Sequence, residues 1–199
     1  MSVLNVKNKR PFIIGLTGGI ATGKSSVSNE FRKKGLIVVD SDKIVHHLWQ
    51  TDMELNDTVS REFKLEVPID KKRLAKMVFN DPNRLARLNE LIHPKVFKYI
   101  DNFVKDNMHL DIIIIDMPLL FEAKYNKVDL TLLVYSTPSQ QLDRLVSRDK
   151  LSKNEAQMRI DNQMPINKKL FMADYVIYNN DSKEVLEGEI NKFIEKLGV

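Results

Sequence analysis

The sequence contains no cysteine in its 199 residues. Disulfide bonds and thiolate metal sites are therefore excluded, and the composition is compatible with a reducing compartment. No apolar run approaches the length of a membrane span, and residues 1–10 lack the apolar segment of a signal peptide. We therefore predict a cytoplasmic protein without a membrane partner, and we interpret residues 1–10 as a short disordered lead-in.

Basic runs interleaved with aromatic residues, which are typical of nucleic-acid-binding surfaces, are also missing. The formal net charge is +4, which suits polyanionic ligands in general. Hydrophobic residues make up 43% and charged residues 29% of the chain, a balance typical of globular proteins. The length fits one domain with a small inserted lobe. We thus predict a globular protein that binds small molecules and not nucleic acid.

One glycine-rich stretch, from Phe12 to Ser26, carries the strongest signal in the chain. An apolar run of strand type leads into G-x-x-x-x-G-K-S, the spacing of the Walker A phosphate loop. Glycines let the backbone turn tightly and direct N–H groups at anionic oxygens. An amphipathic helix follows and stops at Gly35, so the motif has the strand–loop–helix context that it requires.

This loop predicts a bound nucleotide together with Mg²⁺. Lys24 has the reach to contact the β- and γ-phosphates, and the hydroxyl of Ser25 can ligate the metal. The helix adds the positive end of its dipole at the phosphates. The residues predicted to contact the nucleotide here are Gly19, Ile20, Ala21, Thr22, Gly23, Lys24, Ser25 and Ser26.

A second apolar run, residues 36–39, ends in Asp40-Ser41-Asp42 and is followed by a helical pattern. In an open α/β sheet, ligands bind at the carboxyl ends of the strands, so both carboxylates are expected near the phosphate loop. Aspartate is a favoured helix N-cap, and we assign that role to Asp40. Asp42 is the better candidate for a general base on an acceptor hydroxyl.

Residues 51–109 differ from the rest, because they are strongly charged and hold no long apolar strand. Asp81-Pro82 predicts a helix start, and Pro94 is expected to end or kink that helix. We interpret this region as a helical insertion that binds the acceptor. From its spacing alone, His93 beside the proline is given a structural role.

The later chain alternates strands with helices. Residues 112–115 are four isoleucines followed by Asp116, a pattern of the Walker B type whose aspartate organises Mg²⁺ directly or through water. Thr137 and Ser152 each open a capping box, and the short charged helix after Ser152 predicts a lid over residues 149–165. The predicted fold is α/β, a three-layer P-loop NTPase fold with a parallel sheet, a helical insertion and a lid.

The predicted organisation is therefore a nucleotide-binding core over residues 1–50 and 110–199, with the insertion at residues 51–109. A GTPase is excluded, although residues 126–129 read N-K-V-D. That tetrapeptide precedes a strand, where a GTPase motif follows one, and no glycine lies three residues after any aspartate.

The motifs taken together resemble the dephospho-CoA kinase family. They are G-L-T-G-G-I-x-x-G-K-S, V-D-S-D-K-I, L-N-E-L-I-H-P, D-M-P-L-L-F-E and Y-V-I-Y-N-N, in this order from Phe12 to near the end. The resemblance implies transfer of the γ-phosphate of ATP to the ribose 3′-hydroxyl of dephospho-CoA. That reaction is the last step of coenzyme A synthesis.

The resemblance also implies roles for particular residues. Asp42 takes the position of the proposed base, and Lys24 with the lid-side arginines surrounds the phosphates. Asn179 lies in the loop near the adenine. The remaining residues that it implies are Arg148 and Arg159 as catalytic arginines, and His93, Pro118 and Leu119 as acceptor-binding residues.

Two positions depart from the family pattern. His46 and Lys71 stand where arginines are usual, and lysine cannot grip a phosphate in two places as arginine does. Two alternatives stay open: a P-loop kinase of another nucleoside or nucleotide, and a P-loop protein without enzymatic activity that binds nucleic acid. The sequence leaves the oligomeric state undetermined.

Overall fold

Strand β1 (Phe12–Gly18) runs through the centre of a five-stranded sheet of order β2-β3-β1-β4-β5. The computed structural model describes residues 10–79 and 81–198; the predicted lead-in falls almost entirely outside them. The other strands are β2 (Ile37–Asp40), β3 (Ile112–Asp116), β4 (Leu130–Tyr135) and β5 (Tyr175–Tyr178). The pairings of β1 with β3, β1 with β4 and β4 with β5 are all parallel. The predicted α/β fold with a parallel sheet is confirmed.

The described residues form nine helices in addition to these strands. They are α1 (Lys24–Lys33), α2 (Ser41–Thr51), α3 (Met53–Phe63), α4 (Lys71–Phe79), α5 (Pro82–Asp106), α6 (Pro138–Asp149), α7 (Lys153–Asp161), α8 (Ile166–Met172) and α9 (Lys183–Leu197). The sequence patterns do not predict α3 or α8.

The described chain divides into two compact units, one of residues 10–39 and 107–198 and the other of residues 40–106. In the first unit, α1 and α9 cover one face of the sheet, and their apolar residues join the strands in one core. Phe31 and Phe193 contact each other there, with ring centroids 6.0 Å apart. Parallel strands buried in this way read as continuous apolar runs, which is why all five strands were visible in the sequence.

The second unit is entirely helical and contains α2 to α5. It begins at Asp40, whereas the sequence predicts an insertion from residue 51. Lys95 of α5 forms ion pairs with Asp52 at 3.1 Å and Glu54 at 2.6 Å, which join α5 to the start of α3.

Helix α5 runs for 25 residues and contains Pro94 in its interior. Of the two expected effects of this proline, an end of the helix is wrong, and a kink stays a prediction. Proline removes one backbone hydrogen bond and crowds the preceding turn. Here, however, the buried residues Ile92 and Val96 flank it on one continuous apolar face. Their burial on both sides of the proline favours one helix over two.

Candidate active site

The phosphate loop lies between the end of β1 at Gly18 and the start of α1 at Lys24. Two of its residues adopt left-handed backbone conformations, Ala21 with φ 60° and Gly23 with φ 88°. The hydroxyl of Thr22 donates to the carbonyl oxygen of Gly19 at 2.9 Å and closes the turn from within. A non-glycine residue in the left-handed region is held there only when its surroundings determine it, so this loop conformation is built into the fold.

The N-terminus of α1 has the properties of an anion site. Its N-cap is Gly23, no side chain caps its first N–H groups, and its first turn contains no acidic residue. The helix has ten residues, long enough for aligned peptide dipoles to leave partial positive charge at its start. Phosphate groups bind at such positions through backbone N–H groups.

Side chains from distant parts of the chain hold the loop from outside. Asn179, after β5, donates to the carbonyl oxygen of Thr22 at 2.8 Å. The peptide groups of Ile20 are held by two glutamines: Gln141 donates to its carbonyl oxygen at 2.7 Å, and its N–H donates to Gln163 at 2.8 Å. Neither glutamine was predicted from the sequence.

Asp116, at the end of β3, forms an ion pair with Lys24 and accepts a hydrogen bond from Ser28. Its side chain is buried, with the whole residue only 3% exposed. Lys24 and Ser28 are four residues apart and therefore share one face of α1. That spacing could have identified Ser28 from the sequence.

Ser25 and Asp116 offer oxygen ligands of the kind that Mg²⁺ prefers. Ser25 is the second residue of α1 and is exposed. A carboxylate has about four lone-pair sites, so Asp116 keeps acceptor capacity beside its contacts with Lys24 and Ser28. No group of three or more metal-binding side chains occurs in the described residues. A magnesium ion held by one or two protein ligands and by substrate phosphates fits these residues.

The two predicted catalytic arginines lie at the end of α6 and in α7, Arg159 within the predicted lid and Arg148 directly before it. Arg148 and Arg159 share the carboxylate of Asp149, at 2.7 Å and 2.9 Å. The hydrogen bond from Arg148 lowers the pKa of Asp149, so the pair of arginines faces an ionised partner at neutral pH. All three side chains are partly exposed, as groups that exchange partners on ligand binding must be.

Arg144, another arginine of α6, connects the segments that follow β4 and β5. Arg144 donates to the hydroxyl of Ser136 and to the carbonyl oxygen of Asn179, both at 2.8 Å. Ser136 in turn donates to the same carbonyl of Asn179 at 2.7 Å. This network holds the chain after β4 against the chain after β5, beside the phosphate loop.

A surface pocket of about 210 Å³ lies next to this network. It is bounded by α1, α9 and the loop after β5. Its lining residues are Ser26, Glu30, Asn179, Lys183, Leu186, Glu187 and Ile190. Polar and apolar side chains both contribute, which suits a heteroaromatic ring with hydrogen-bonding edges.

The segment after β3 forms a turn that contains Pro118 and Leu119. The carbonyl oxygen of Pro118 accepts hydrogen bonds from the hydroxyl of Thr17 at 3.0 Å and from Lys169 at 2.9 Å. The carbonyl oxygen of Leu119 accepts from the N–H of Ala123 at 2.8 Å. The turn is therefore fixed to the end of β1.

Asp42 and His93 lie in the helical unit. Asp40 is the N-cap of α2 and accepts from the N–H groups of Asp42 and Lys43 at 3.0 and 3.2 Å, which confirms its predicted capping role. Asp42 is exposed in the first turn of the same helix. Partial burial lowers the pKa of His93, whose ring stacks on Phe97 with centroids 5.7 Å apart.

The two departures from the family pattern are also in this unit. His46 in α2 lies 3.1 Å from the side-chain nitrogen of Gln50, one helical turn away. Lys71 is the exposed first residue of α4. The contact of His46 is therefore local to α2.

A parallel sheet whose central strand enters a phosphate loop, with a lysine and a carboxylate beside it, is the arrangement of the P-loop nucleotide-binding fold. The fold is similar to that of shikimate kinase from Bacteroides thetaiotaomicron, with a TM-score of 0.54 and 15% identity over 94% of this chain and 99% of that chain.

The particular family follows from the sequence relationships. The family model described as dephospho-CoA kinase matches residues 12–184, and the chain belongs to this family. A dephospho-CoA kinase from Lactobacillus acidophilus is 38% identical over 94% of this chain and 97% of its own length. The structure of dephospho-CoA kinase from Campylobacter jejuni matches with a TM-score of 0.68 and 28% identity over 93% and 96% of the two chains.

The resemblance drawn from the sequence motifs is thus confirmed. Membership of a P-loop kinase family implies ATP as the phosphate donor and a small molecule as the acceptor. Within the described residues, no helix combines the length and the apolar character that crossing a membrane requires.

Proposed function

We propose that this protein transfers the γ-phosphate of ATP to the ribose 3′-hydroxyl of dephospho-CoA and so produces coenzyme A. The observation that carries the proposal is the match to the dephospho-CoA kinase family over residues 12–184. The phosphate loop and the Lys24–Asp116 pair supply the chemistry that a kinase needs within that span.

The phosphate loop binds the triphosphate in this proposal. Backbone N–H groups at the start of α1 would contact the phosphates, and Lys24 would leave its pair with Asp116 to contact the β- and γ-phosphates. Because the loop conformation holds the backbone donors in place, they stabilise developing charge without reorganising at the moment of transfer. The uncapped N-terminus of α1 supports this role.

Mg²⁺ is held by Ser25 and Asp116 in this proposal. When bound, it neutralises charge on the β- and γ-phosphates. The hydroxyl of Ser25 provides one ligand. The carboxylate of Asp116, freed from Lys24, contacts the metal directly or orients a water on it.

The acceptor side of the proposal rests on Asp42. Its carboxylate orients the 3′-hydroxyl and takes its proton as the bond to phosphorus forms. His93 is neutral at physiological pH because burial lowers its pKa, so it can contact the acceptor without adding charge. Pro118 and Leu119 supply the apolar surface of the turn against which the acceptor packs.

Two arginines complete the site in this proposal, one within the lid over residues 149–165 and one directly before it. Arg148 and Arg159 exchange Asp149 for the transferring phosphoryl group when the lid closes. Closure also excludes water, which would otherwise compete with the acceptor. The shared contact of both arginines with Asp149 supports this exchange.

The adenine of ATP occupies the pocket beside Asn179. A volume of about 210 Å³ accommodates a purine, and Ser26 brings the phosphate loop into the pocket lining. The partner is a small molecule and neither nucleic acid nor membrane. Location in the cytoplasm stays a prediction from composition.

A panel of acceptors tests the proposal. ADP release from ATP and Mg²⁺ is followed with dephospho-CoA, adenosine, AMP and phosphopantetheine in parallel. Turnover with dephospho-CoA well above the others is expected. Preference for adenosine or AMP would instead identify a kinase of another nucleoside or nucleotide.

A further inference from the structure

Lys169 in α8 is a fully buried lysine, 0% exposed. Its ammonium group donates to the carbonyl oxygens of Gly18 at 3.3 Å and Pro118 at 2.9 Å, and it pairs with Glu122 at 2.9 Å. An ammonium has three donors, and each has an acceptor here. Burial lowers the pKa of Lys169, and the carboxylate of Glu122 opposes that shift.

Glu122 connects this lysine to a further segment. Its Oε1 atom accepts from Lys169 and also from the N–H of Met164 at 3.0 Å. Its Oε2 atom is buried and has no hydrogen-bond partner among residues 10–79 and 81–198. The pair therefore leaves one buried oxygen of a partly exposed carboxylate without a partner among the described residues, which is costly unless something else is gained.

The three backbone groups joined by this pair come from the segments that the proposed reaction uses. Gly18 opens the phosphate loop, and Pro118 belongs to the turn two residues beyond Asp116. Met164 lies between α7 and α8, at the end of the predicted lid. Lys169 and Gly18 are 151 residues apart in the chain, so the pair fixes segments that no local interaction could hold together.

We propose that Lys169 and Glu122 form a positioning pair, which sets the phosphate loop, the turn after β3 and the end of the lid in one geometry. This inference rests on the proposed kinase function. Neither side chain reacts; both act through the backbone groups that they hold. Sites that transfer phosphoryl groups depend on placement to a fraction of an ångström, and a displacement of about 1 Å can cost about 10²-fold in rate.

The first test replaces Lys169 with methionine, which keeps the length of the side chain and removes its charge. We expect kcat to fall on the order of 10–100-fold, with the Kd for ATP changed only slightly. ADP release should also exceed coenzyme A formation, because a loosened lid admits water. Lys168→Met is the matched control, since Lys168 is the exposed neighbour in the same helix, and it should behave as the wild type.

A double variant separates positioning from stability. Lys169→Met alone removes the ammonium that pairs with the partly buried carboxylate of Glu122, so its melting temperature should fall. Lys169→Met combined with Glu122→Gln removes that charge and should recover most of the melting temperature without recovering kcat. Recovery of both together would overturn the proposal and leave the pair a stabilising contact only.

Hydrogen exchange provides a readout that does not depend on the acceptor. In the double variant, amides of residues 18–23 and 117–124 should exchange faster, while those of α9 remain unchanged. Unchanged exchange in both segments would contradict the positioning role even if activity falls. Inactivity of the wild type with dephospho-CoA would refute the proposed function but would leave this comparison valid.

Discussion

The side-chain amide of Asn179 donates to the carbonyl oxygen of Thr22 at 2.8 Å, which ties the loop after β5 to the phosphate loop. The same amide nitrogen fills the space where a Cβ atom at Gly23 would stand. Gly23 also has φ 88°, which side chains rarely adopt. An alanine at this position would therefore have to adopt a strained backbone and displace the amide of Asn179 from Thr22.

Gly23→Ala should abolish ATP binding. The added methyl group would collide with Asn179 and would strain the backbone, so the loop could not keep its N–H groups directed at the phosphates. Binding is measured by the rise in melting temperature with ATP and Mg²⁺.

Gly188→Ala is the matched control for this variant. Gly188 lies inside α9 with open space around its Cβ position, so alanine should stabilise the helix by about 1 kcal/mol. That gain corresponds to a rise of about 2–4 °C in melting temperature, with ATP binding unchanged. ATP binding retained by Gly23→Ala would contradict the loop geometry.

Lys24→Ala should lose turnover by at least about 10²-fold, because a donor to the transferring group is removed. The variant also leaves the buried carboxylate of Asp116 without its ion pair, so stability should fall by about 3 kcal/mol. Denaturant unfolding and steady-state assays measure the two effects. Lys24→Ala with Asp116→Asn should regain stability and stay inactive; turnover in this double variant would remove Lys24 from the reaction.

Asp42→Asn should bind ATP normally and lose phosphoryl transfer by about 10²–10⁴-fold, since an amide cannot accept the proton. Asp40→Asn should be mild, because asparagine caps a helix about as well as aspartate and Asp40 is the observed N-cap of α2. Single-turnover transfer and ATP binding are measured on both variants. A loss confined to Asp40→Asn would show that the two roles are exchanged.

Arg159→Met should reduce kcat by about 10²-fold or more while the Kd for ATP changes little. A lid arginine contacts the transferring phosphoryl most strongly in the transition state. Lys192→Met in α9, which removes an exposed charge paired with Glu189 at 2.8 Å, serves as the control. If the variant only raises the KM for ATP and leaves kcat unchanged, Arg159 contacts ATP in the ground state and not specifically in the transition state.

We predict that the free energy of unfolding depends on pH because of His93. Burial lowers its pKa in the folded state from 6.5, so the unfolded chain binds a proton first as the pH falls through 6.5. The free energy of unfolding should therefore decrease from that pH downward, until the pH is below the lowered pKa. Urea unfolding at about pH 7.5 and about pH 5.5 measures the decrease. His93→Asn should reduce it, whereas His109→Asn, at an exposed position, should not.

Much of the fold was predictable because its signals are local. Each strand is a continuous apolar run, and the capping boxes at Thr137 and Ser152 both occur as predicted. Helix α3 was missed although Leu55, Val59 and Phe63 recur every four residues along its buried face. Helix α8 has only seven residues, too few for a periodic pattern to stand out.

The residues of the candidate site were likewise predictable only in part. Lys24, Ser25 and Asp116 follow from motifs of fixed spacing. Lys169 could not be predicted, because its partners are the carbonyl oxygen of a glycine 151 residues away and that of a proline 51 residues away. Backbone acceptors carry no sequence signal, so side chains that hold them become visible only in the folded chain.

The position of the new phosphate group tests the central claim most directly. Dephospho-CoA is incubated with ATP, Mg²⁺ and the protein, and the product is analysed by phosphorus NMR and mass spectrometry. A single additional phosphomonoester on the ribose 3′-oxygen, formed with one ADP per product, is the predicted result. A phosphate on any other atom, or ADP formed without a phosphorylated acceptor, would contradict it.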